Sequence, residues 1–124
     1  MKETQKKKIL HVDDEDDVKT VVKTILEKDG FEVVSANSGR EALRELEPNE
    51  FDLILLDVMM PDMSGWELFT SITKLRPEYK VIFLTVLESS EEKLKQLKEY
   101  GIKDYITKPF DRDDFLSRVK KALE

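Results

Sequence analysis

Asp52-Leu53-Ile54-Leu55-Leu56-Asp57 is an unbroken apolar run closed at each end by a carboxylate. A strand with one wet face alternates apolar and polar side chains, so this run predicts a strand buried on both faces. Such a strand needs helices on each side of a mainly parallel sheet. Outward from this segment, the hydrophobic period switches back and forth. Upstream, Ile9 to Val12 reads as a strand ending in the acidic run Asp13 to Asp17, after which Val18, Val21, Val22, Ile25 and Leu26 recur at helical spacing until Gly30. Residues 31–36 predict a second strand. Asn37 or Ser38 then caps a helix carrying Ala42, Leu43 and Leu46, which Pro48 closes.

Downstream the alternation continues. Leu68, Phe69, Ile72 and Leu75 mark a third helix that stops before Pro77, since the residue preceding proline disfavours helix. Val81 to Leu84 predicts a fourth strand, and Ser89 or Ser90 caps a helix with Leu94 and Leu97 that ends at Gly101. Tyr105 to Thr107 predicts a weaker fifth strand, followed by a helix with Phe115, Leu116, Val119 and Leu123. Five strands alternating with five helices define an α/β class, a doubly wound parallel sheet covered on both faces.

Length and charge narrow the function. The 124 residues fill one domain, 1–124, and the chain stops at the fifth helix, so no output domain is expected. Its 21 basic and 27 acidic residues leave a net charge of -6, which repels a phosphate backbone, so direct nucleic-acid binding is not expected. The absence of cysteine excludes disulfides, thiolate zinc sites and cysteine nucleophiles. Residues 1–7 read as a solvated basic tail with no apolar stretch behind it long enough for a signal or a membrane span. A cytoplasmic protein with no membrane partner is expected.

In open α/β sheets ligands sit beyond the carboxyl ends of the strands. There the sequence places Asp13 and Asp14 after the first strand, Asp57 after the third, Thr85 after the fourth and Lys108 after the fifth. Three converging carboxylates repel one another and push at least one toward its protonated form unless a divalent cation enters. Magnesium suits an oxygen-only site better than zinc, and it keeps free positions for phosphate oxygens. Lys108 and Thr85 then serve as a cation and a hydrogen-bond donor for phosphoryl oxygens, and a carboxylate is the protein nucleophile. Glu15, Asp16 and Asp17 read as the first turn of the following helix, where acids favour the dipole. His11 reads as a structural or surface residue, and Met59, Met60 and Met63 as loop packing.

ILHVDDE (9–15), LILLDVMMPDMSGWEL (53–68), VIFLT (81–85) and GIKDYITKPF (101–110) resemble the receiver domain of two-component response regulators. The resemblance spans Lys8 to Leu123. It implies a flavodoxin-like fold with strand order 2-1-3-4-5. It implies further that Asp57 accepts a phosphoryl group from a sensor histidine kinase or histidine phosphotransfer protein. Mg2+ would be held by Asp14, Asp57 and the backbone carbonyl of Met59, with Asp13 acting through a water. Lys108 would pair with phosphoryl oxygens. Thr85 and Tyr105 would switch the face made by the fourth helix, fifth strand and fifth helix toward an effector protein. The resemblance implies no enzyme beyond self-phosphorylation and slow loss of the group, and a cis Lys108–Pro109 peptide.

Val86 stands where the family usually has a smaller residue and narrows the approach to Asp57. Leu94 and Lys103 break the charge pattern of family members that dimerise through the switching face, so a monomer or weak dimer is expected. The rival reading is a haloacid-dehalogenase-like, magnesium-dependent phosphatase with Asp57 as nucleophile. That chemistry wants a second Asp two residues on, where Met59 stands.

Overall fold

The structure, a computed structural model, describes residues 6–124. Its elements are β1 (Lys8–Val12), α1 (Asp16–Lys28), β2 (Glu32–Ala36), α2 (Gly39–Leu46), β3 (Leu53–Leu56), α3 (Gly65–Leu75), β4 (Val81–Thr85), α4 (Glu91–Glu99), β5 (Ile102–Thr107) and α5 (Arg112–Leu123). All strands pair in parallel in the order β2-β1-β3-β4-β5, the order the resemblance implied. Residues 1–5 of the expected tail lie outside the described residues. Lys6 and Lys7 are exposed, although the Lys7 carbonyl already accepts a hydrogen bond from Glu32 N at 2.9 Å.

β3 occupies the centre, as its apolar run requires. Ile54 and Leu56 join the core under α2, α3 and α4 with Ala42, Phe69 and Leu97. Leu53 and Leu55 join the opposite core under α1 and α5 with Leu26, Phe115 and Val119. None of the four β3 side chains is exposed, and each such burial contributes about 1.5–3 kcal/mol. Ser38, Ser64, Ser90 and Asp111 cap α2, α3, α4 and α5 by accepting a backbone N–H three residues on. This settles two open choices: Ser38 and not Asn37, Ser90 and not Ser89.

Two expectations are corrected and one choice is settled. β5 starts at Ile102, three residues before Tyr105. A bulge lets Val81 pair with Ile102 and Ile82 with Asp104, so Lys103 is extra, and that polar pair hides the strand from a hydrophobicity reading. Val21 and Leu75 follow the apolar period of their helices but lie 48% and 59% exposed, because the core-facing stripe of each helix is narrower than the pattern. Of the two readings of His11, structural or surface, burial selects the first: it has no exposed surface at all.

The loop after β3 is clamped at both ends. Asp62 accepts from Gly39 N at 3.1 Å and Arg40 N at 2.9 Å, so its carboxylate sits on the N-terminus of α2. Burial raises the Asp62 pKa, but the backbone donors of Arg40, Gly39, Asp62 and Met63 together outweigh it and hold the pKa below the ordinary value. Gly65 N donates to Val58 O at 2.8 Å. A Cβ on Gly65 would strike the Asp57 carbonyl oxygen and lie 2.8 Å from Val58 Cα, both backbone atoms that cannot turn aside. Gly65→Ala should therefore lower stability by about 1–3 kcal/mol in urea unfolding, the usual loss on overpacking.

Candidate functional site

Strand order reverses between β1 and β3, which opens the crevice where doubly wound sheets place their ligands. Register sets the rest. Val12 pairs with Leu56, and Asp57 N donates to Val12 O at 3.0 Å, so the next residues, Asp13 and Asp57, emerge side by side. Thr85 pairs with Thr107, and Lys108 N donates to Thr85 O at 2.7 Å, which brings Lys108 to the same rim. The Lys108–Pro109 peptide is cis, as expected.

Asp13, Asp57 and Lys108 are buried, and one ammonium joins them. Lys108 Nζ donates to Asp13 Oδ2 at 2.9 Å, Asp57 Oδ2 at 3.1 Å and Glu15 Oε1 at 3.2 Å. Burial alone would lower the Lys108 pKa, but hydrogen bonds to Asp13 and Asp57 outweigh it and push the pKa above its ordinary value. Asp13 moves the other way from a typical salt-bridged acid. Burial raises its pKa, and the Lys108 hydrogen bond only partly offsets this. The two shifts agree physically, because one cation serves several anions and cannot fully compensate each.

Glu15 is the residue the sequence reading missed. It sits at the N-cap of α1 but makes no side-chain cap, because its carboxylate turns to Lys108 instead. Asp13 Oδ1 accepts Glu15 N at 2.9 Å, which fixes the turn that leads into the helix. No local pattern separates such a glutamate from an ordinary first-turn acid.

Asp14 is exposed at the mouth, and one ligand oxygen from each of Asp13, Asp14 and Asp57 falls within 4.8 Å of the others. Three carboxylates with room beside them fit a hard cation that keeps water ligands. Met59 N donates to Asp57 Oδ1 at 3.1 Å, while its side chain is 55% exposed, so it does not pack the loop as expected. Met60 and Met63 do pack against the core.

Thr85 and Tyr105 meet each other through Leu87. Thr85 is fully buried, and its Oγ1 accepts Leu87 N at 3.4 Å, a long and weak bond. Tyr105 Oη donates to Leu87 O at 2.7 Å, and its half-buried ring packs edge-on against Phe83, centroids 6.2 Å apart. Val86 is 56% exposed and shares a shallow cleft with Lys108, Val18, Val21 and Phe110.

Fold and rim together place the chain among doubly wound α/β proteins whose chemistry sits at the switch point. Comparison narrows the class. The profile of the family described as "Response regulator receiver domain" matches residues 9–120, and the chain belongs to that family. It is 38% identical over 117 residues to the alkaline phosphatase synthesis transcriptional regulatory protein PhoP of Bacillus subtilis, covering 94% of this chain and 48% of that protein. Among solved structures, a CheY-like receiver domain protein from Methanospirillum hungatei shares 39% identity at a TM-score of 0.87, covering 96% of this chain and 94% of that one. The response regulator TrrA from Thermotoga maritima, solved in complex with Mg2+-BeF, shares 34% identity at a TM-score of 0.81, covering 94% and 98%.

The chain spans about half or less of the length of the curated relatives it matches. It is a receiver domain, a phosphorylation-dependent signalling switch and not a conventional enzyme, and the phosphatase reading is not favoured. Among the described residues no helix is long and apolar enough to cross a membrane.

The electrostatics make a direct test. Because folding raises the Asp13 pKa, it favours the neutral acid, and stability is lost as pH rises through the ordinary value of 3.8 and the higher folded value. Asp13→Asn should therefore stabilise the unliganded protein at pH 7, by about 1 kcal/mol, because Lys108 keeps Asp57 and Glu15 as partners while repulsion among the carboxylates is relieved. The gain should vanish in unfolding curves recorded below the ordinary value.

Proposed function

We propose that Asp57 is the phosphoryl acceptor of this receiver, taking the group from a phosphohistidine on a sensor histidine kinase or histidine phosphotransfer protein. The observation that carries the reading is the sharing of Lys108 by two buried carboxylates beside an exposed third. A carboxylate oxygen of Asp57 forms the new bond to phosphorus as the bond to the donor imidazole nitrogen breaks, giving an acyl phosphate. Lys108 follows the charge, leaving the carboxylate for phosphoryl oxygens. Asp14, Asp57 and the Met59 carbonyl would hold Mg2+, with Asp13 holding one of its waters, a reading supported by the Mg2+-BeF complex of TrrA. The ion would neutralise phosphoryl oxygens during transfer.

Loss of the group is slow in this reading. Met59 and Leu87, 55% and 41% exposed, flank the rim with side chains unable to orient an attacking water. Switching starts at Thr85. A phosphoryl oxygen accepts the Thr85 O–H, draws Oγ1 toward the acceptor site, stretches the already long bond from Leu87 N, and so loosens the loop to which Tyr105 is tied. The altered face of α4, β5 and α5 then engages an effector protein.

Incubation with acetyl phosphate and magnesium should add one phosphoryl mass to the intact protein. Asp57→Asn should add none, and persistent labelling of that variant would overturn the assignment. Thr85→Ala should still accept the group but lose its effect on amide exchange across residues 90–105. An unchanged exchange response in that variant would show that the signal bypasses Thr85.

A further inference from the structure

One buried polar side chain has no part in this chemistry. His11, the only histidine of the chain, stands in β1 with no exposed surface. Among the described residues neither of its ring nitrogens has a hydrogen-bond partner. Buried polar groups are nearly always paired, so an orphan beside a buried carboxylate of the site asks for a partner in another state. The nearest candidate is Asp13. Its Oδ2 lies 3.8 Å from His11 Nε2, just beyond hydrogen-bond reach.

Lys108 explains when that partner becomes free. An ammonium carries three N–H bonds, and Asp13, Glu15 and Asp57 take all of them. Any bond to an arriving phosphoryl oxygen is therefore withdrawn from a carboxylate. Glu15 is exposed and can turn to water, whereas Asp13 has no exposed surface. We propose that His11 is a positioning residue, a reserve donor whose Nε2–H closes on Asp13 Oδ2 as Lys108 turns toward the phosphoryl group. The imidazole is neutral, since burial, aided by Lys108, pushes its pKa down to about 3, so a single nitrogen carries the proton. The inference rests on the receiver chemistry proposed above and goes beyond it to a residue that touches neither metal nor phosphate.

A lone histidine makes the test unambiguous by nuclear magnetic resonance of the 15N-labelled protein. Magnesium and beryllofluoride, a phosphoryl mimic, should move the Nε2–H proton downfield and slow its exchange with water. Shifts of backbone amides near Asp57 and Thr85 with an unchanged imidazole would overturn the role of His11 and leave the receiver reading standing. No amide shift at all would overturn both.

Variants give a second reading. His11→Val should weaken beryllofluoride binding about fivefold, the worth of one net hydrogen bond. It should leave the affinity for magnesium alone, and the thermal midpoint, no lower than in the wild type. His11→Gln, which keeps a donor, should recover part of the loss. A variant that loses stability and both affinities together would show that His11 only packs, and would overturn the proposal.

Discussion

Lys108 is shared by Asp13, Glu15 and Asp57, and the whole carboxyl edge of the sheet is arranged around that sharing. Strand register forces two buried carboxylates together, a conflict no local adjustment relieves. The ammonium arrives from β5, at the far edge, held at the right height by its own backbone bond to Thr85. Removing the one cation of such a buried cluster typically costs about 3–5 kcal/mol, because the carboxylates are left uncompensated. The rim thus gathers more negative charge than its one buried ammonium offsets, which favours a divalent cation and then an anion beside it.

The surroundings are built to keep that cavity rigid on one side and yielding on the other. Toward α2 and α3, the loop after β3 is fixed by the Asp62 clamp, by the close approach at Gly65, and by the capping box of Ser64 and Glu67. Toward α4, the equivalent loop is held by the long Thr85 bond and by one tyrosine hydroxyl. In the proposed switch, strain introduced at the carboxylates passes to the second loop in preference to the first.

Much of this was legible in the sequence. The apolar run at Leu53–Leu56 allows only a two-sided burial, serine caps announce helix starts, and acids at two strand ends with a lysine at a third are an unusual coincidence. What stayed hidden depends on distances that no local window contains. Glu15 looks like every other helix-opening acid until Lys108 is brought to it from 93 residues away. His11 occupies a strand position whose burial depends on how α1 and α5 close over it, and β5 is masked by polar residues that sit on a bulge. Val21 and Leu75 show the converse, apolar residues that the helical period counted and the packing left out.

α4 contributes only one buried side chain, Leu97, to the core. An element anchored so thinly opens at a free energy well below that of the whole domain, and its amides should exchange as a separate unit. Inverting a two-state equilibrium from 1:99 to 99:1 takes about 5.5 kcal/mol, within reach of one charged group and its new hydrogen bonds. The thin anchoring of α4 thus sets a low threshold for changing the shape of this domain, and the better-buried α3 beside it, with Leu68, Phe69 and Ile72 in the core, serves as the fixed frame against which that change is read.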